Sequence, residues 1–288
     1  MARLSLIVLT GLLLAAAGGL AVVRRSPPSR ETAVAAARRH ARLATGAAYV
    51  LGAAAAVAVG AAELGNTAPG GLGITVLLAP IAFGVVHLLV LAVGELTWPR
   101  PRGEVRRARL VRRGLLDAAP RWLVRTAGAA AVLAVVTLVT GALLADADGR
   151  SFTYRPDAAH VRTGSPFPGW FYGRPAAIGL LVLAAVAVAA LWIVANRAAV
   201  ATRDDRIEAA LRRASAHRVL RVAAGVTLVV TGGLAVIGGL RVHATTGGVL
   251  EPVGGAVALL GLSAALAGTV LCALRAPGVP ADQPALVA

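Results

Sequence analysis

Lysine is absent from this chain: all 29 basic residues are arginine, against 13 acidic ones, for a formal net charge of +16. Together with the abundance of alanine, valine and glycine, that choice has the style of a GC-rich coding genome. Cysteine occurs once, at Cys272, which excludes an intramolecular disulfide and a cysteine-based metal cluster. Aromatics are scarce, with four Trp, four Phe and three Tyr, so their positions carry more information than usual. Charged residues make up 15% of the chain, where a soluble domain has about a quarter. No H-E-x-x-H, G-x-S-x-G, P-loop or G-x-G-x-x-G pattern occurs, so the enzyme classes that depend on them are not indicated. The five histidines, His40, His87, His160, His217 and His243, show no metal-ligand spacing, and no cofactor or metal is expected.

Long apolar runs are what the sequence has instead. The chain is 58% hydrophobic, with a mean hydropathy of +0.77. A helix crossing the hydrocarbon core needs about 20 mostly apolar residues. Seven stretches qualify: 4–23, 43–62, 72–94, 126–145, 175–195, 222–240 and 253–274. They hold no Asp, Glu or Arg, and His87 is their one ionisable side chain apart from the tyrosine and cysteine hydroxyl and thiol. Backbone polar groups in lipid must pair within their own segment, so such runs predict helices, and they are too long for the strands of an outer-membrane barrel. The expected fold class is all-α: a polytopic transmembrane bundle of seven spans, one lone helix plus three hairpins. Residues 1–274 form a single transmembrane domain, and 275–288 a Pro-rich tail expected to be disordered.

The arginines then orient the bundle. Segments 24–42, 95–125 and 196–221 hold six, nine and seven of them, and Arg275 follows the last span. The other side holds Arg3, Arg150, Arg155, Arg162, Arg174 and Arg241. Cytoplasmic loops are the basic ones. The expected topology is therefore N-terminus outside and C-terminus cytoplasmic, in a bacterial plasma membrane. An arginine excess of this size in a soluble protein would suggest nucleic acid. Its one-sided placement points to the bilayer and its anionic inner-leaflet lipids, with Arg106, Arg107, Arg109, Arg112 and Arg113 the expected headgroup-binding residues. Span 1 is expected to be an uncleaved anchor: its run of about 20 residues exceeds the usual signal-peptide core, and cleavage would strand six arginines outside.

Small residues spaced by four let helices approach closely in lipid. They occur as Gly11, Ala15, Gly19 in span 1, as Ala48, Gly52, Ala56, Gly60 in span 2, and as Thr231, Ala235, Gly239 in span 6. Packing within the bundle is the plain reading; a homo-oligomer face or a membrane-protein partner is the sharper one. The three spans entering from the arginine side begin alike, as "RRHARLATGAA", "PRWLVRTAGAA" and "AHRVLRVAAGV", a likeness that positive-inside selection alone could create. Segments 104–125 and 203–221 mix arginines with apolar residues, which predicts helices lying along the inner membrane surface. The outer loop 146–174 is long, and its Phe167, Trp170, Phe171 and Tyr172 suit either an interfacial aromatic belt or a lid over the bundle.

One intramembrane residue invites a functional question. His87 lies in "PIAFGVVHLLVLAVGE", where Pro80, Gly84, His87 and, further along, Glu95 share a helix face. Ionisable groups at membrane depth face the bundle interior and often mark pathways. The plainer account is a neutral imidazole bonded to another helix, with Thr45, Tyr49, Thr137 and Ser263 as candidate partners. An intramembrane enzyme would need a second catalytic group beside His87, and no span offers an acid.

At "GELTWPRPRGEVR" (94–106) and "SPFPGWFYG" (165–173) the chain resembles uncharacterised multi-pass membrane proteins of actinobacteria. The resemblance implies a plasma-membrane protein and carries over no functional residues. Two functions from different classes follow: a non-enzymatic structural or accessory membrane component, or a small-solute transporter or channel-like protein with His87 lining its path. A tightly packed bundle favours the first, and a polar cavity reaching His87 the second.

Overall fold

A computed structural model describes residues 33–62, 73–98, 114–197, 199 and 205–279. Six helices carry the fold: α1 (Ala33–Ala61), α2 (Ile74–Leu96), α3 (Arg121–Leu144), α4 (Trp170–Asn196), α5 (Asp205–Thr245) and α6 (Leu250–Ala273). All six are long and apolar enough to cross a membrane. The seven-span count is thus met for six; the run at 4–23 lies outside the described residues. Between α3 and α4 sits a small antiparallel hairpin, β1 (Phe152–Tyr154) with β2 (Arg162–Gly164), in the register Phe152↔Gly164 and Tyr154↔Arg162.

The core runs along α5. Its inward residues, among them Val219, Val222, Val226, Val230 and Leu234, join Leu88 and Leu91 of α2 and Leu183, Ala187 and Leu191 of α4 in one buried cluster. The outward faces stay apolar. Leu143 of α3, Leu181 of α4 and Leu259 and Leu260 of α6 are each more than two thirds exposed. In water such faces would aggregate, whereas in lipid they need no cover.

The closest packing is between α5 and α6. Gly225, Gly232 and Gly239 stand seven apart on α5 and face Gly268, Gly261 and Gly254, seven apart on α6. A methyl at any of the six would lie 2.4–2.8 Å from the facing glycine's carbonyl oxygen. Backbone therefore meets backbone three times along the seam, an approach that only glycine permits and that gains dispersion and weak Cα–H···O contacts. Of the small residues spaced by four, Ala235 and Gly239 join this seam, while a side chain at Gly60 would meet nothing within 4 Å.

The expected surface helix at 203–221 is corrected. Residues 205–221 are the first part of α5, a single helix of 41 residues. At 1.5 Å per residue it is roughly 60 Å long, about twice the hydrocarbon thickness. Its lower half does not lie flat: Leu211, Arg212, Ala214, Ser215, Ala216 and His217 are all buried. The Ile207 and Leu211 side chains pack with Val34, Ala37 and Ala41 of α1 and with Trp98, forming a second small core with Val279 against it. The amphipathic pattern was read correctly, but its apolar side finds protein rather than headgroups. Segment 114–120 runs as turns rather than helix.

Candidate functional site

Two places bring polar groups out of water. One surrounds His87 in mid-bundle; the other lies at the end where α1, α3 and α5 begin and α2, α4 and α6 finish.

His87 is 0% exposed, so no water-sized space touches it. Its ring lies edge-on to Tyr49 of α1 at 4.6 Å between centroids and tilted against Phe83 at 5.3 Å. Neither ring nitrogen makes a hydrogen bond of full geometry among the described residues, the Ala48 backbone of α1 being the polar group that faces the ring. The space that Gly84 leaves is filled from other helices, since a side chain there would meet Leu183 and Val226 within 3.2 Å. Pro80 sits half-buried inside α2. Of the four candidate partners, Tyr49 touches the imidazole by its ring. The Thr45 and Ser263 hydroxyls instead donate to Ala41 and Leu259 carbonyls of their own helices. The Tyr49 hydroxyl donates to the Cys272 carbonyl at 2.5 Å and accepts from Arg221 at 3.0 Å, tying α1, α5 and α6 together.

At the arginine-rich end the charges are paired and buried. Glu95, on the last turn of α2, accepts the Trp98 indole N–H at 2.8 Å and meets the Arg197 guanidinium at 3.0 Å. Arg197 stacks over the Trp98 ring at 4.2 Å and lies 3.6 Å from Glu208 of α5. Glu208 in turn takes Arg212 Nε at 2.8 Å, one helical turn on. Arg212 then donates to the carbonyls of Val194, Ala195 and Arg197 at 2.7–2.8 Å. Those are final carbonyls of α4, which have no partner inside the helix and carry the negative end of its dipole. One guanidinium on α5 thus caps the end of α4. His40 of α1 closes the group by donating Nε2–H to the Gly94 carbonyl at 2.8 Å. Charges held this far from water need such partners, because removing one leaves the other desolvated and alone.

The opposite end is closed by shape. The loop between α3 and α4 folds as the β1–β2 hairpin, with Phe152 stacked on Phe167 at 5.3 Å. Phe167 is 2% exposed, and Pro168 wedges between α3 and α5: a side chain at Gly141 would meet the Pro168 carbonyl oxygen, and one at Gly238 its ring. Three of the four loop aromatics belong to α4, whose first turn starts at Trp170 after Gly169. Trp170 is exposed, as a belt residue would be, whereas Tyr172 is buried and Phe171 packs on its ring. Backbone N–H groups of Arg150 and Ser151 and the Ser151 hydroxyl donate to Asp148, holding its carboxyl below the ordinary carboxylate pKa.

Among the candidate residues, the structure brings Gly84, His87 and Glu95 onto one buried face of α2. Arg106, Arg107, Arg109, Arg112 and Arg113 lie outside the described residues. Sequence reasoning missed Arg197, Glu208 and Arg212. The signal was there, as Glu208 and Arg212 stand at i,i+4 and Glu95 and Trp98 at i,i+3. No group of three or more His, Cys, Asp or Glu side chains among the described residues could hold a metal ion. No protein-family model, no curated protein and no solved structure matches the chain.

Proposed function

We propose that the chain is a non-enzymatic structural or accessory component of a bacterial plasma membrane. In this reading it crosses seven times, with 4–23 as the first span, the N-terminus outside and the arginine-rich end in the cytoplasm. What supports it most is the sealing of the bundle at its one intramembrane histidine. His87 is without exposure, Gly84 is filled by neighbours, and the α5–α6 seam has no room for a methyl group. A solute path needs a polar cavity at membrane depth. The described residues instead place a buried chain of ion pairs at one end and aromatic packing at the other. The likeness to actinobacterial multi-pass proteins agrees with this reading without adding an activity to it. Its partners are the bilayer with its anionic inner-leaflet lipids, and a second membrane protein or copy of itself along the exposed apolar faces.

The alternative, a transporter or channel-like protein with His87 on its path, is favoured by one observation: the imidazole is the ionisable ring at membrane depth and neither of its nitrogens makes a hydrogen bond of full geometry, the Ala48 backbone being the polar group beside it. Thiol accessibility separates the two. In a Cys272→Ser background, His87→Cys in native membranes is expected to stay unlabelled by a charged maleimide added from either side. Labelling at a rate near that of an exposed control would overturn the structural reading and favour a path.

A further inference from the structure

The arginine-rich end carries more positive charge than its carboxylates meet. Glu95 and Glu208 are engaged by Arg197 and Arg212. Arg218 and Arg221, six and nine residues beyond Arg212 on α5, make no ion pair among the described residues. Arg221 is buried on Tyr49. Arg218 differs: its one hydrogen bond goes to the Ser215 hydroxyl at 3.1 Å, although a guanidinium has five N–H donors. It lines a cleft between α1, α2 and α5 together with His40, Ala44, Leu91, Glu95 and Trp98. The cleft has space for about one water molecule at its base. A half-buried guanidinium with spare donors, beside the buried Trp98, is stabilised by an anion of matching geometry.

We propose that this cleft is a phosphate-anion site, with Arg218 as its anchor and His40 and Trp98 as its walls. One phosphate oxygen enters the cleft and takes N–H donors of Arg218 while the rest of the group stays at the surface. Glu95 lines the same cleft and acts electrostatically on Arg218, but its single negative charge is shared with Arg197 and the Trp98 indole, so Arg197, Arg218 and Arg221 together keep the surroundings net positive. The phosphate has two sources, an anionic phospholipid headgroup or free phosphate. The lipid source rests on the membrane placement proposed above; the phosphate chemistry does not.

The test uses the purified full chain in mild detergent, followed by thermal unfolding. The probes are short-chain phosphatidylglycerol and, separately, inorganic phosphate against chloride at equal ionic strength. Saturable stabilisation of the wild type is expected with at least one probe, weakened about tenfold or more in Arg218→Gln and unchanged in Arg213→Gln, an exposed neighbour on the same helix. Stabilisation by phosphatidylglycerol alone assigns the headgroup, and stabilisation by both assigns the phosphate itself. Should Arg218→Gln fail to fold, Arg218→Lys keeps the charge without the planar fork and is expected to bind several-fold more weakly. No stabilisation of the wild type by either probe, equal affinity in the Arg218 variant, or equal loss in Arg213→Gln would each overturn the site. A topology opposite to the one proposed, with phosphate binding intact, would remove the membrane orientation and leave the site standing.

Discussion

The two ends of the bundle are closed by different physics. At the arginine-rich end, Glu95, Arg197, Glu208 and Arg212 form a buried chain of ion pairs that finishes as a cap on α4. At the other, the Phe167–Pro168 wedge fills the gaps left by Gly141 and Gly238. The first closure is directional and fails when one partner is deleted. The second depends on volume and fails when a side chain is added. The α5–α6 glycine seam joins them, and like the outer end it is a matter of shape.

The largest effect is expected where charge is stranded. Arg212→Ala removes the nearest donor of Glu208 and the donor to the Val194, Ala195 and Arg197 carbonyls, leaving Glu208 with Arg197 at 3.6 Å, and loss of one member of a buried pair costs about 3–5 kcal/mol. Thermal unfolding in detergent should show it as the greatest drop among these variants. Replacing both partners, Glu95→Met with Arg197→Met, is expected to cost far less than either single change, since a well-packed apolar pair is often neutral. If the double variant is as damaged as the singles together, the pair is not coupled as described.

Next come the shape-dependent sites. Gly232→Ala puts a methyl 2.4 Å from the Gly261 carbonyl oxygen and Gly141→Ala one 2.1 Å from that of Pro168, whereas Gly233 has nothing within 4 Å. Overpacking costs about 1–3 kcal/mol. Both variants should unfold at lower temperature and Gly233→Ala should not; in Gly141→Ala, protease cleavage within 150–165 should also quicken. Equal behaviour of Gly232→Ala and Gly233→Ala would remove the seam.

The smallest expected effect is at Asp148, which is exposed. Its pKa is lowered in the fold by the Arg150 and Ser151 donors. A lowered carboxylate pKa contributes stability above the ordinary value, which is lost as pH falls through the folded one. The Ser151 amide resonance should therefore titrate with a midpoint below 3.8 in the folded protein, and a midpoint at or above that value would contradict the turn's geometry.

Much of this was legible in the sequence, because lipid allows few solutions. Apolar runs of about 20 residues had to become helices, and six described ones did. The ends were legible for α2 and α6, which stop and start within three residues of the expected spans, whereas α1 and α5 begin earlier and run through Arg38, Arg39 and Arg42 and through Arg206 to Arg221. What was hidden is which polar residues meet. Arg197 and Glu95 are neighbours only after α2 and α4 pack, and a charged amphipathic stretch looks the same whether it lies on headgroups or on protein. That is why 205–221 was expected to lie on the membrane surface. The glycine seam is partly legible: Gly239 belongs to the four-spaced set of span 6, whereas Gly225, Gly232, Gly254, Gly261 and Gly268 stand out only by their repeat of seven. The wedge of the 146–174 loop into Gly141 and Gly238 depends on long-range contact that no local pattern encodes.

The central claim is that this is a membrane bundle whose arginine-rich end stays on the side of synthesis. Alkaline-phosphatase fusions after Pro69, Asp157 and Gly247, compared with fusions after Arg109, Ala199 and Val279, test it most directly in a bacterial host. The account predicts activity from the first three and none from the second. Activity from the second set, or from both sets alike, would contradict it.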